Sequence, residues 1–323
     1  MGTARFSLLR VLADGAVHSR ERIGRTLGLP PTEVSELARD LESLGARVVG
    51  AGDDCRLEER VDLLDPDLLA QRVKQSSPGL RVELLDECPS TNTELAERAR
   101  AGAAHGTVLA CEHQSAGRGR RGNAWVSALG GSVTFSVLWR FSLGAAALAG
   151  LSPAVAVAAA EALEKLGAHS VALKWPNDLL CGGRKLGGML IETAGDAAGP
   201  VAAVVGVGVN VRLGAAARER VGAPVTDLAS EGAATASRTS VLAGLLAGLA
   251  PALELFSREG FAPFRQPWMR RHAWQGRQVV LLNTGRRLAQ GEVIGIAEDG
   301  ALELASERGV ERFHSGELSL RLG

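Results

Sequence analysis

The apolar positions of the first 64 residues repeat with the spacing of short amphipathic helices. Apolar residues from Phe6 to Leu12 predict one helix, and the stretch from Ser19 to Leu27, which ends at Gly28, predicts a second. The third predicted helix opens at Pro30-Pro31-Thr32 and carries on one face Val34, Leu37, Leu41 and Leu44. Residues 47–49 and 55–57, around a polar turn at 50–54, predict the hairpin of a winged helix-turn-helix.

Beyond Asp65-Pro66, which predicts a helix start, strand and helix patterns alternate. Strands are predicted at 80–85, 107–112, 133–139, 171–175, 188–193 and 201–209. Helices are predicted at 93–100, 153–166 and 241–256. Several strands follow one another directly, which favours an α+β layer of mixed sheet and helices. Short strands near the end, at 279–282, 288–296, 302–305 and 318–320, predict a small β-barrel. The predicted domains are therefore 1–64, 65–272 and 273–323.

Composition limits the function classes open to this chain of 323 residues. Its 36 basic and 36 acidic side chains cancel, so no net charge draws it to nucleic acid or membrane. The four cysteines lie far apart, which predicts reduced thiols and neither a disulfide framework nor a zinc site. No signal peptide pattern is present, and the most apolar run, 241–255, is shorter than the roughly 20 residues of a membrane span. We therefore expect a cytoplasmic protein.

The most informative motif is the run from Gly117 to Gly122, Gly-Arg-Gly-Arg-Arg-Gly, with Trp125 behind it. Three guanidinium groups among three glycines can wrap an anionic group such as phosphate or carboxylate. The run lacks the lysine-serine ending of a P-loop. Its structural alternative is a flexible loop that contacts nucleic acid or nothing specific.

Three further segments place polar groups where a core needs none. Ser90-Thr91-Asn92 follows a strand, and Thr91 with Glu94 also fits a helix capping box. Residues 174–178, Lys-Trp-Pro-Asn-Asp, close a strand, and there Asn177 and Asp178 could simply cap a turn. Residues 184–188, Arg-Lys-Leu-Gly-Gly, lead into another strand, where a glycine pair indicates close backbone approach.

The joint order of these segments, with Gln114 before the arginine run and Gly-Val-Gly-Val-Asn at 206–210, resembles the biotin protein ligases. The resemblance covers the whole chain and is greatest to the bifunctional bacterial type, a ligase that also represses the biotin operon. It implies a class II synthetase-like catalytic domain between a winged helix and an SH3-like barrel. Two alternatives stay open: a biotin-sensing regulator with decayed enzyme activity, and a lipoate ligase, which the 117–122 and 174–178 segments disfavour.

The resemblance implies that biotin and ATP, with Mg²⁺, form biotinyl-5′-adenylate. Biotin then passes to a lysine on the carboxyl carrier domain of acetyl-CoA carboxylase or a related carboxylase. The implied catalytic residues are Lys185, Asp178, Arg118, Arg120 and Arg121, with Asp178 serving either as a Mg²⁺ ligand or as a base. The implied biotin-binding residues are Ser90, Thr91, Asn92, Gln114, Gly117, Arg118, Gly119, Arg120, Trp125, Lys185, Gly188 and Gly206. The implied ATP-binding residues are Arg118, Arg120, Arg121, Lys174, Asn177 and Asn210.

Two departures from the family pattern concern regulation and DNA. Residues 222–226 lack the tryptophan that some bifunctional members place over the adenine, so adenine stacking and ligand-driven homodimer formation could differ here. The candidate DNA-binding residues are Arg20, Arg22, Arg25 and Arg39. Against them, the third helix carries four acids, and the wing reads Gly-Asp-Asp-Cys at 52–55. Since DNA binding depends on neutralising phosphates, this surface predicts weak operator binding.

Overall fold

The computed structural model describes residues 3–195, 199–316 and 318–323. Its first unit is the winged helix-turn-helix that the sequence predicts. Ser19 caps the second helix by accepting a hydrogen bond from the Arg22 amide, and Gly28 ends that helix in the left-handed conformation, at φ +69°. The elements of this unit are α1 (Ala4–Leu12), β1 (His18–Ser19), α2 (Arg20–Leu27), α3 (Pro31–Ser43), β2 (Val48–Val49) and β3 (Asp54–Leu57).

The central unit contains a seven-stranded mixed sheet with helices. Its elements are α4 (Pro66–Ser76), β4 (Arg81–Cys88), α5 (Thr91–Arg100), β5 (Thr107–Gln114), β6 (Ser132–Phe141), α6 (Leu151–Lys165), β7 (Ala172–Lys174), β8 (Asp178–Cys181), β9 (Arg184–Gly195), β10 (Val201–Asn210), α7 (Ala215–Val221), α8 (Arg238–Glu259) and α9 (Ala262–Arg271). The strand order is β4-β5-β6-β10-β9-β8-β7; β4 and β5 pair in parallel, and the other described neighbours pair antiparallel. This sheet confirms the predicted α+β class.

The last unit is a five-stranded antiparallel sheet of the SH3-like type, in the order β14-β13-β12-β11-β15. Its strands are β11 (Gln278–Asn283), β12 (Arg286–Ile296), β13 (Leu302–Ser306), β14 (Gly309–Phe313) and β15 (Leu318–Leu322). Inward side chains such as Val279 and Leu304 join the same buried cluster as α6, α8 and the central sheet. The last unit is therefore packed firmly against the central one.

The winged helix has its own core but is tied to the central unit by charged contacts. Arg5 and Arg10 of α1 form ion pairs with Glu87 and Asp86 at the end of β4. This end of β4 leads directly into Ser90-Thr91-Asn92, so the first unit contacts the strand that carries a predicted site segment.

A second connection between the first and central units involves the fully buried guanidinium of Arg238. It forms an ion pair with Glu112 and donates to the carbonyl of Asp62 (2.8 Å) in the segment before α4. The amide of Leu64 donates to the other oxygen of Glu112 (2.8 Å). Because an unpaired buried charge is costly, this network fixes the segment between the two units.

Two segments have the length and apolar composition of a membrane span, Ala145–Lys165 and Arg238–Glu259. The second extends beyond the apolar run 241–255 at both ends, so the helix is longer than the sequence pattern indicated. The most apolar stretches of these segments are 72% and 56% buried inside the protein. Their helices α6 and α8 pack against each other over the sheet. Burial of this kind is typical of the core helices of a globular domain.

Candidate active site

The predicted segments meet in one cleft between the central sheet and the last strand of the SH3-like unit. The cleft has a volume of about 980 Å³, including its open mouth. The predicted residues that line it are Ser90, Thr91, Asn92, Gln114, Arg118, Gly119, Arg120, Arg121, Trp125, Lys174, Asn177, Asp178, Lys185, Gly188 and Gly206. Among the described lining residues six are basic and one is acidic, so the cleft suits an anionic ligand.

One wall of the cleft is a network of buried polar side chains. Gln114 Oε1 accepts hydrogen bonds from the backbone amide of Thr91 (2.7 Å) and from its hydroxyl (3.2 Å). Ser136 Oγ donates to Asn92 Oδ1 (2.6 Å) and lies 2.8 Å from Thr91 Oγ1. Because Gln114 uses its oxygen on Thr91, its Nε2 amide remains a donor that a ligand could use.

This network corrects the capping-box interpretation of Thr91 and Glu94. The residue that precedes α5 is Ser90, and no side-chain hydrogen bond caps the helix there. The hydroxyl of Thr91 contacts Gln114 and Ser136 instead. The tertiary partners compete successfully with the local cap, a result that the Thr-x-x-Glu spacing could not reveal.

Two glycines of β10 let other residues approach the sheet closely. A Cβ on Gly206 would lie 2.1 Å from Asn92 Oδ1, and a Cβ on Gly208 would lie 2.6 Å from the ring of Trp125. Ser136, Gly206 and Leu190 are in register across β6, β10 and β9, directly below Asn92. The missing side chain at Gly206 therefore creates the space in which Asn92 packs.

Lys185 and Asp178 form an ion pair in the cleft, with Nζ 2.7 Å from Oδ1. The side chain of Lys185 is 39% exposed and that of Asp178 is 19% exposed. Residues 224–226 run beside Lys185, whose amide donates to Pro224 O (3.1 Å) and whose carbonyl accepts from Thr226 N (2.9 Å). This is the segment in which the sequence lacks the tryptophan of some family members.

The turn between β7 and β8 holds the next group of predicted residues. Asn177 Nδ2 donates to Met189 O (2.7 Å), and burial lowers the pKa of Lys174, whose ammonium lies 4.6 Å from the ring centroid of Trp274. Trp175 is buried and donates from Nε1 to Gly300 O (3.3 Å) in the SH3-like unit. Asp178 itself begins β8, a strand that the sequence did not predict.

The arginine-glycine loop closes over the cleft. Arg118 forms an ion pair with Glu192 and donates to Thr93 Oγ1 (3.0 Å). Arg120 donates to Asn177 Oδ1 (3.3 Å) and to carbonyl oxygens of the SH3-like unit, including Ser315 O (2.7 Å). Arg121 has the positive φ of +59° that a tight turn needs.

Sequence reasoning missed several residues of this cleft. Ser136 is fully buried behind the polar wall, where it contacts Thr91 and Asn92, but it reads as an ordinary strand position. Arg321 and its neighbours Leu318 to Leu320 in β15 line the cleft from the SH3-like unit. Only the packing of that unit against the sheet brings them to the site, and no local motif marks them.

Two predicted residues are placed beside the cleft and are absent from its described lining. Gly117 packs against the backbone of Trp125, whose oxygen would lie 2.5 Å from an added Cβ. Asn210 is buried and donates from Nδ2 to Thr226 O (3.0 Å). The Asn210 side chain therefore supports the 224–226 segment.

The candidate DNA-binding arginines differ in their surroundings. Arg22, Arg25 and Arg39 are exposed, with Arg25 paired to Glu21 (3.3 Å). Arg20 is half-buried and donates to wing carbonyls at Gly52 (2.5 Å) and Asp54 (3.1 Å). Arg20 therefore stabilises the conformation of the wing.

Within the described residues, no group of three or more His, Cys, Asp or Glu side chains could hold a metal ion. Asp178 is the one acid among the described lining residues. A Mg²⁺ ion bound mainly by substrate phosphates needs only one or two protein carboxylates, so this arrangement fits an ion that arrives with ATP.

Comparison with known proteins places this geometry in a family. Residues 85–210 match the biotin/lipoate A/B protein ligase family, and residues 276–321 match the biotin protein ligase C-terminal domain. A protein of Salmonella typhimurium named bifunctional ligase/repressor BirA is 34% identical over 99% of this chain and 98% of its own length. The chain belongs to the biotin protein ligase family.

Two further relatives cover the ligase and C-terminal parts. The biotin–[acetyl-CoA-carboxylase] ligase of Paracoccus denitrificans is 35% identical over 73% of this chain and 98% of its own length. The structure of the Aquifex aeolicus biotin protein ligase in complex with biotin and ATP has a TM-score of 0.64 and 29% identity. It covers 75% of this chain and 99% of the Aquifex chain. Membership of the family thus rests on sequence and fold together.

Proposed function

We propose that the chain is a biotin ligase that activates biotin with ATP and transfers it to a lysine of a biotin carboxyl carrier domain. The observation that carries this proposal is the basic cleft, in which Lys185, Asp178 and the loop arginines face the polar wall of Thr91, Asn92 and Gln114. Relatives that match the chain are named biotin–[acetyl-CoA-carboxylase] ligases. We expect the reaction to take place in the cytoplasm.

In the first step a carboxylate oxygen of biotin bonds to the α-phosphorus of ATP. The bond from that phosphorus to the β-phosphate breaks, and pyrophosphate leaves. Both reactants are anions, so fixed positive charge lowers the barrier most when it lies where they meet. Lys185 is our candidate for holding the biotin carboxylate, and Arg118, Arg120 and Arg121 for holding the phosphates. Mg²⁺ bound to ATP would neutralise further phosphate charge, with Asp178 as its protein ligand.

In the second step the ε-amine of the carrier lysine attacks the acyl carbon of the adenylate. An amide bond forms, AMP leaves, and the amine loses a proton. Asp178 is our candidate to accept that proton if it does not hold the metal. The closed arginine-glycine loop would keep water from the mixed anhydride before the carrier arrives. We propose that Lys174 and Asn177 contribute to the nucleotide side of the cleft.

Incubation of the full chain with ATP, labelled biotin and a biotin carboxyl carrier domain tests the proposal. We expect label on the carrier, pyrophosphate release that depends on biotin, and no label on a carrier whose acceptor lysine is replaced by arginine. Lipoate in place of biotin should support little transfer. Equal use of lipoate, or no ATP-dependent labelling, would overturn the proposal.

A second candidate function is repression of a biotin operon. Full-length relatives are named ligase/repressor, and the winged helix-turn-helix is present in this chain. The charge of that unit opposes tight DNA binding, since residues 1–65 contain nine arginines, no lysine and twelve acids, which gives 9 − 12 = −3. Arg5 and Arg10 are also engaged in ion pairs with the central unit.

A gel-shift assay with the upstream region of a biotin operon distinguishes operator binding from its absence. With biotinyl-adenylate bound, we expect weak or no retardation at physiological salt. Tight, sequence-specific retardation would establish the repressor role. It would also show that Arg22, Arg25 and Arg39, doubled in a homodimer, supply enough phosphate contacts.

A further inference from the structure

The side chain of Asn92 is held by three partners below the cleft. Its oxygen accepts from Ser136 Oγ (2.6 Å), and its Nδ2 donates to Leu190 O (3.1 Å) and to Glu192 Oε2 (2.9 Å). Asn92 is only 3% exposed, and Glu192 lies two positions after Leu190 on the same face of β9. Both hydrogens of the Asn92 amide are therefore used inside the protein.

Glu192 and the Leu190 carbonyl, two groups that can only accept, together determine which end of this amide faces the cleft. A carboxylate can only accept hydrogen bonds, so the nitrogen of Asn92 must point to Glu192. The oxygen then points toward Ser136 and lies directly over Gly206. An amide oxygen has two lone pairs, and Ser136 uses one. Asn92 consequently offers an acceptor, and no donor, to a ligand.

The second oxygen of Glu192 anchors the arginine-glycine loop. Oε1 pairs with the guanidinium of Arg118, which also donates to Thr93 Oγ1 (3.0 Å). One carboxylate therefore joins the polar wall of the cleft to the loop that closes it. Glu192 itself is absent from the described lining of the cleft, so any effect on a ligand passes through Asn92 and Arg118.

We propose that Glu192 is a positioning residue that orients Asn92 as an acceptor and thereby selects a ligand with an N–H donor. The proposal rests on the proposed function, because the ureido ring of biotin carries two N–H groups and the dithiolane ring of lipoate carries none. Its structural alternative is a half-exposed carboxylate that merely pairs with a surface arginine. That alternative predicts no effect on ligand discrimination.

The test compares Glu192→Leu and Glu192→Gln with Glu83→Gln in the full chain. Glu83 lies on β4 of the same sheet, away from the cleft, and also pairs with an arginine, Arg98 (2.6 Å). Glu83→Gln is therefore a matched control. Binding of biotin, and of biotin methylated at both ureido nitrogens, is measured by calorimetry. Steady-state kcat and the KM for biotin are measured alongside.

We expect Glu192→Leu to raise the biotin KM about tenfold, the scale of one lost hydrogen bond, with a smaller change in kcat. The preference for biotin over the methylated analogue should fall by a similar factor, because the amide nitrogen is then held by the Leu190 carbonyl alone and Asn92 is less firmly oriented. For both quantities, Glu192→Gln should lie between wild type and Glu192→Leu. Glu83→Gln should have the biotin KM and the ligand preference of wild type.

An unchanged preference in Glu192→Leu would overturn the proposal, whether or not the protein is less stable. A wild-type protein that does not bind biotin would instead overturn the proposed function, and this proposal with it. The two failures are distinguished by the wild-type measurement.

Discussion

Lys185 Nζ lies 2.7 Å from Asp178 Oδ1, and the two residues stand near the starts of adjacent strands β9 and β8. The short β8–β9 turn pairs the two strands so that Asp178 lies opposite Gly188 and Lys185 lies opposite Leu180. Both side chains remain partly exposed to the cleft. The pair thus joins a cation that could hold a carboxylate to an anion that could bind Mg²⁺ or accept a proton.

Replacing Arg120 with glycine should release the closed loop. Its guanidinium contacts Asn177 Oδ1 and carbonyls at Ser315 and Gly316, three acceptors on two units of the protein. We expect the activated adenylate to escape and to label lysines on an added bystander such as serum albumin. Arg120→Lys keeps the charge without the planar fork and should leak less. If the bystander stays unlabelled while carrier biotinylation is unchanged, Arg120 does not clamp the loop.

Replacing Gly206 with alanine should impair biotin binding. The new Cβ would lie 2.1 Å from Asn92 Oδ1, so Asn92 must move from its hydrogen bonds to Ser136 and Leu190. We expect the biotin KM to rise about tenfold or more and the stability to fall by about 1–3 kcal/mol. Gly214→Ala is the control, since no atom of the described residues lies within 4 Å of a Cβ there. Similar kinetics for the two variants would contradict the proposed packing of Asn92.

The buried imidazole of His272 predicts a loss of stability in acid. Burial lowers its pKa to about 4, its ring lies against Trp268 with the centroids 4.3 Å apart, and its buried Nε2 has no hydrogen-bond partner among the described residues. The folded protein thus favours neutral His272, while the unfolded chain protonates it near pH 6.5. Its contribution is complete above pH 6.5 and is lost as the pH falls toward 4, by up to about 3 kcal/mol.

Denaturant unfolding at pH 7 and pH 4.5 measures this contribution. His272→Phe keeps an aromatic ring against Trp268 but cannot titrate. The variant should lose less stability than wild type between the two pH values. Equal losses would show that His272 is accessible to protons in the folded state.

Removal of the winged helix should leave measurable ligase activity, because the proposed catalytic residues all follow Cys88. The position of the truncation, however, affects the expected stability. A deletion of residues 1–64 removes Asp62 and Leu64, which hold the buried pair of Arg238 and Glu112. A deletion of 1–60 keeps them and should be more stable by about 1–3 kcal/mol. Equal melting temperatures and activities for the two deletions would show that these contacts contribute nothing.

The sequence predicted the three-part architecture because the hydrophobic period changes clearly along the chain. The helices of the first unit and the long strands β6 and β10 were confirmed close to their predicted bounds. Strand β8 was missed, since Asn177-Asp178 and Gly182-Gly183 both read as turns. Helix α9 was missed because its ten residues include two prolines. The short elements β1, α7 and β14 carry too few residues for a periodic signal.

The candidate site was predicted where a local motif marks it and missed where only tertiary packing makes it. Lys185, Asp178 and the loop arginines stand in distinctive segments. Glu192 lies in an ordinary strand, and Arg321 reaches the cleft only through the docking of the SH3-like unit. Neither residue has a neighbour in sequence that indicates its partner in space.

The most direct test of the account is the first chemical step in Lys185→Ala. Wild-type protein and the variant are mixed with labelled ATP and biotin without carrier, and biotinyl-adenylate and pyrophosphate are followed in a single turnover. Lys165→Ala, an exposed lysine at the end of α6, is the control. The account predicts adenylate formation at least about a hundredfold slower in Lys185→Ala, with an unfolding free energy within about 0.5 kcal/mol of wild type. Adenylate formation at the wild-type rate would contradict the central role given to Lys185.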